Sequence, residues 1–75
     1  MKFEIGDLLI RTDETLYGIQ TISINVITKT DVRYNSSYCV LTKDFTINKQ
    51  AQYYTDWLIN DIKIGKVKYY PVVKQ

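Results

Sequence analysis

The sequence predicts a mainly β domain: a small five-stranded antiparallel barrel with one short helix before the last strand. Three observations predict it. Ile, Val, Tyr and Thr recur in short runs bounded by Gly, Asn, Ser and Asp, the expected signature of several short antiparallel strands. Only the stretch after Tyr54 carries both a start and a stop signal for a helix. Finally, 75 residues, 45% hydrophobic and 24% charged, suit a single domain over residues 1–75. A chain this short buries only about 60% of its unfolded surface and cannot divide its core in two.

Leu8-Leu9-Ile10-Arg11-Thr12 follows a Gly6-Asp7 turn and stops at Asp13-Glu14-Thr15, which makes the first strand. From Tyr17 the chain is β-prone to Thr28. Ile22, Ile24 and Val26 share one parity, whereas Tyr17, Ile19 and Thr21 take the other, so a bulge or sharp bend is predicted near Thr21. Thr28 to Asp31 reads as a turn, Val32-Arg33-Tyr34 as a short extended piece and Asn35-Ser36-Ser37 as a second turn. Tyr38 to Thr42 is the next strand, Lys43-Asp44 opens a polar connection, and Gln50 to Tyr54 resumes an extended run.

Thr55 is expected to cap a helix that runs from Asp56 to about Ile64, with Asp56 favouring the first turn and Gly65 at the stop. Leu58 and Ile62 share a face, with Ile59 and Trp57 nearby, so the helix should plug one end of the sheet. Beyond it, Val67, Tyr69 and Val73 alternate with Lys66, Lys68, Tyr70 and Lys74, giving a last strand with one apolar and one basic face. Pro71 places that strand at an edge or near its end.

Bent strands, short turns and a single helix before the closing strand resemble the SH3-like small barrels, whose common opening Phe3-Glu4-Ile5-Gly6-Asp7-Leu8-Leu9-Ile10 looks like. The segment from Leu58 to Val72 is similar to the ends of small tailed-phage proteins. Together these stretches cover under half of the chain. The resemblance implies a phage accessory protein acting in an infected bacterium, docking on a protein or nucleic acid and supplying no catalytic residue. The long Phe45 to Gln52 connection departs from that pattern.

The residues themselves argue against catalysis. Histidine is absent, which removes the commonest general base and the commonest zinc ligand. The single Cys39, between Tyr38 and Val40, reads as a buried small hydrophobe; unable to pair internally, it points to a reducing compartment. Asp13-Glu14 lies in a predicted turn, and Asp56 and Asp61 diverge on a helix, so turn and capping roles account for them. Gly6, Gly18 and Gly65 are too scattered to form a phosphate cradle. No enzyme activity, cofactor or metal is expected. Without a signal-peptide core or a membrane-length apolar run, the expected location is cytoplasmic, the host cytoplasm if the chain is phage-encoded.

Binding is the remaining class. Seven tyrosines and one tryptophan exceed the three or four rings, roughly, that so small a core absorbs. Tyr53-Tyr54 and Tyr69-Tyr70 are adjacent pairs in strands, so one ring of each should face out; Tyr54 and Tyr70 are the outward candidates. Trp57 reads as a ring closing the barrel end in preference to an anchor for a partner. From Lys63 onward there are four lysines and no acid, against six basic and eight acidic residues before it. Lys66, Lys68, Tyr70 and Lys74 thus form a basic stripe that suits phosphates and a stacked base, an acidic protein surface, or the defence of an edge strand against aggregation.

A protein partner is the first expectation, engaged through Tyr54, Trp57, Lys66, Lys68, Tyr70 and Lys74, with no membrane role. Nucleic acid comes second, helped by Lys63 and Arg33, because a net charge of +2 is low for a domain that must hold phosphates. A self-assembling structural subunit, homodimeric through a strand edge, comes third.

Overall fold

The computed structural model describes residues 1–73. Its elements are β1 (Leu8–Glu14), β2 (Gln20–Tyr34), β3 (Ser37–Asp44), β4 (Lys49–Tyr54), α1 (Thr55–Lys63) and β5 (Val67–Tyr70). All pairings are antiparallel, in one sheet of order β4-β3-β2-β1-β5. The first four strands form a meander of hairpins. After the helix, β5 returns to pair with β1, which leaves β4 and β5 as the two edges. The expected mainly β chain with five antiparallel strands and one short helix before the last is what the structure shows.

Strand alternation sorts the side chains. Leu9 lies opposite Asn25 on one side and Tyr69 on the other, and Arg11 lies opposite Val67. These face inward, whereas Leu8, Ile10, Lys68 and Tyr70 face out. The core comprises Phe3, Leu9, Ile27, Val40, Leu58 and Val67, with Tyr53, Ile59, Ile62 and Tyr69 packed against it. In a flat sheet β1 and β4 would stand three strand spacings of about 4.8 Å apart. Instead the Arg11 guanidinium lies 5.0 Å from the centre of the Tyr53 ring. The sheet is curled, and α1, packed on β3, β4 and β5, fills its mouth.

Two polar ties hold this curl. Asp7, 1% exposed, accepts the Glu4 N–H and the Tyr69 O–H on Oδ2 and the Val72 N–H on Oδ1, each at 2.8 Å. It therefore seams the N-terminal turn to the end of β5. Gly6 belongs to this seam: its φ is +97°, and a Cβ there would meet Val72 Cγ2 at 3.1 Å. Burial, then the hydrogen bond to Asp7, pushes the Tyr69 hydroxyl pKa up to about 12. The second tie is Arg11 to Asp61 at 2.8 Å, between β1 and α1.

Several sequence expectations need correction. No bulge lies at Thr21, because β1 and β2 pair without interruption from Gln20 to Val26. Tyr17 and Ile19 belong to the hairpin connection, so their parity said nothing about strand phase. The irregularities lie between Ile27 and Lys29 and between Lys29 and Val32. Thr28 to Asp31 is therefore not a turn but the kinked middle of β2, where Asp31 takes φ 54° to accommodate the unpaired residues. Lys43 and Asp44 continue β3, and Asp13-Glu14 ends β1.

The long connection shrinks to a tight turn at 45–48. Asp44 Oδ1 accepts the Thr46 and Ile47 N–H groups there, at 2.8 and 3.4 Å. Thr55 is not the helix cap but its first residue; Tyr54 holds the capping position and makes no side-chain cap hydrogen bond. β4 runs straight into α1, and Tyr54 is still held in register with Cys39, so no loop residue is free to cap. Gly65 stops the helix as predicted, with φ +85°. Among the described residues, no helix is long and apolar enough to cross a membrane.

Candidate functional site

The tight turn between β2 and β3 places Tyr34, opposite Ser37, and Tyr38, opposite Arg33, at one end of the sheet, where β4 passes into α1. Pairing of Cys39 with Tyr54 brings the start of the helix to the same place. The rings meet there: Tyr34 and Tyr54 at 6.4 Å between centroids, Tyr54 and Trp57 at 5.3 Å with a 58° tilt. Arg33 lies against this group, its guanidinium 5.7 Å from the centre of the Tyr38 ring. Tyr54 is half-buried; Tyr34, Tyr38 and Trp57 are exposed, Trp57 at 72%.

A depression of about 260 Å³ opens between Ser37, Tyr38, Tyr54, Asp56 and Trp57. A second, of about 440 Å³, lies along Gln52, Tyr53, Leu58 and the Arg11–Asp61 pair, and the rings of Tyr54 and Trp57 line both. Cys39 is fully buried, with Gln52 Nε2 donating to its sulfur at 3.5 Å.

The expectation that Trp57 closes the barrel end is overturned. Its neighbour Leu58, 1% exposed, fills the core with Ile59 and Ile62 packed close by. One residue along a helix turns the side chain by about 100°, so Trp57 is carried off that face and into solvent. Asp61 likewise is not a turn or cap residue but the partner of Arg11.

The basic stripe lies elsewhere. Lys68 stands opposite Ile10 and Tyr70 opposite Leu8 on the outer face of the β5 edge; both are exposed. Lys66 precedes the strand, its carbonyl accepting the Thr12 N–H at 2.9 Å. The nearest outer-face neighbours are apolar: Ile10 and Leu8 on β1, then Ile24, opposite Ile10, on β2. Lys74 lies outside the described residues. The structure thus brings together Tyr54 and Trp57, and separately Lys66, Lys68 and Tyr70. Tyr34, Tyr38 and Asp56 join the first group without having been singled out. Tyr34 and Tyr38 flank the Asn35-Ser36-Ser37 turn signal, and a hairpin there already implied that both lie at this end of the sheet, on opposite faces of the ladder.

Among the described residues, no three of Cys, Asp and Glu gather to hold a metal ion. The chain matches no protein-family model, no curated protein and no solved structure.

Proposed function

We propose that this chain is a non-enzymatic binding module that acts by protein–protein contact through the cluster of Tyr34, Tyr38, Tyr54 and Trp57. The observation that supports it best is the exposure of Trp57, tilted against Tyr54, which in turn meets Tyr34, with Tyr38 lining the same depression, all outside the core cluster. Exposed, mutually buttressed aromatic rings lose little conformational freedom on binding and offer large apolar area, which is why Trp and Tyr dominate contact hot spots. The resemblance to small tailed-phage accessory proteins extends this reading to a host protein as the partner, modulated or inhibited by the contact.

The nucleic-acid alternative draws on Lys66, Lys68 and Tyr70. Those lysines lie on an edge strand, where charge also prevents sheet-to-sheet pairing, and they border apolar residues. A direct test captures partners of the tagged chain from bacterial lysate with and without nuclease, with Trp57→Ala and a Lys66→Ala/Lys68→Ala/Tyr70→Ala triple variant in parallel. A stoichiometric protein lost with the first variant and kept with the second is the expected result. Nucleic acid as the sole bound species, lost only with the triple variant, transfers the function to the basic edge.

A further inference from the structure

We infer that the depression between Tyr38, Tyr54 and Trp57 receives a cationic side chain, the guanidinium of an arginine or the ammonium of a lysine, supplied by the partner. This rests on the protein-contact reading and names what the partner inserts. Three rings and one carboxylate, that of Asp56, line the depression together with Ser37. Aromatic faces carry negative quadrupolar potential and hold cations within about 6 Å of the ring centre. Asp56 adds a negative charge that the α1 N-terminus offsets only in part, and among the described residues no lysine or arginine forms an ion pair with it. An anion would meet repulsion from both sources, and an apolar side chain would leave the carboxylate partly desolvated without compensation.

The chain's own cations show the same preference. Arg11 lies over Tyr53 and Arg33 over Tyr38, at 5.0 and 5.7 Å from the ring centres. Size agrees as well: about 260 Å³ falls below the roughly 300–1,000 Å³ of sites for larger ligands and suits the head of one side chain. Arg33 is the opposing charge. It rests against Tyr38 without lining the depression, so its removal should favour an incoming cation.

Trp57 is the chain's single tryptophan, so its fluorescence reports on this depression and on the adjoining one that it also lines, and Asp56, which lines only the first of these two, tells them apart. The full chain would be titrated with the Nα-acetyl amides of arginine, lysine and Nε-trimethyl-lysine, and with those of norleucine and glutamate as apolar and anionic controls. At least one cation should give a weak, saturable change that the controls do not match. Which cation binds best identifies the source as guanidinium, ammonium or methylated ammonium. Asp56→Asn should weaken binding about fivefold, and Arg33→Ala should keep or strengthen it, with amide NMR spectra showing that both variants remain folded.

Equal binding of norleucine, no saturable change with any cation, or unchanged affinity in Asp56→Asn overturns the inference. If the titrations fail while Trp57→Ala still loses the protein partner, the cluster remains a contact surface without a cation pocket. The two failures are therefore distinguishable.

Discussion

Two ring pairs of nearly equal spacing meet opposite fates in this molecule. Phe3 and Tyr69 meet edge to face at 5.4 Å, and Tyr54 and Trp57 meet at 5.3 Å. Around the first pair the chain supplies everything the rings require: Phe3 is buried, and the Tyr69 hydroxyl donates to Asp7. Around the second, the indole has solvent on its outer side and a depression beside it. Ring-to-ring distance is thus silent about use. Whether the polar tip and the second face already have a partner within the chain separates a structural pair from an available one.

The sharpest way to break that contrast is at the seam. Asp7→Ala strands the donors of Glu4, Tyr69 and Val72 and should cost at least about 3 kcal/mol in urea unfolding; a loss under about 1 kcal/mol would show that the sealed pair does not depend on it. Adjacent helix residues should differ almost as much. Leu58→Ala is expected to cost about 3 kcal/mol, whereas Trp57→Ala should stay within about 0.5 kcal/mol while abolishing capture of the partner. Similar losses at both positions would put Trp57 back into the core.

The most specific effect comes from a single hydroxyl. Tyr69→Phe removes one hydrogen bond and should cost about 1 kcal/mol near neutral pH. The folded-state pKa of Tyr69, about 12, lies above the ordinary value of about 10, so the folded chain holds this proton more tightly than the unfolded one. The resulting stabilisation is complete below pH 10, roughly, and is lost as pH rises toward about 12. Lysines titrate in the same range, so the informative quantity is the difference between wild type and Tyr69→Phe. That difference should shrink as pH rises through this window, and a constant difference would refute the linkage.

Much of the fold was legible because local signals governed it. The alternation of Val67 and Tyr69 with Lys68 and Tyr70 placed β5, and Gly65 placed the helix stop. The interior of β2 was not legible, because Thr28 to Asp31 has turn composition, yet ladder bonding to β3 on either side keeps it in the sheet. At the site, Tyr54 and Trp57 were recognisable as individual residues. Their assembly with Tyr34 and Tyr38 depends on the curl of the sheet, which no local pattern encodes. Asp7 and Arg11 were missed for the same reason. A charged residue in a short run looks like a solvated one until a partner distant in sequence, Tyr69 or Asp61, is folded against it.

The order β4-β3-β2-β1-β5 also bears on the sequence in which the chain folds. Every strand contact but one joins neighbours in sequence; β1 alone waits for β5. Hairpins close early, whereas a loop spanning most of the chain closes late and at greater entropic cost. The meander can form first, but Leu9 finds its β5 cover, and Asp7 its Tyr69 and Val72 donors, only once the segment through Val72 folds back onto β1. Completion of the fold therefore depends on the docking of β5, and until then Leu9 and the edge of β1 remain uncovered.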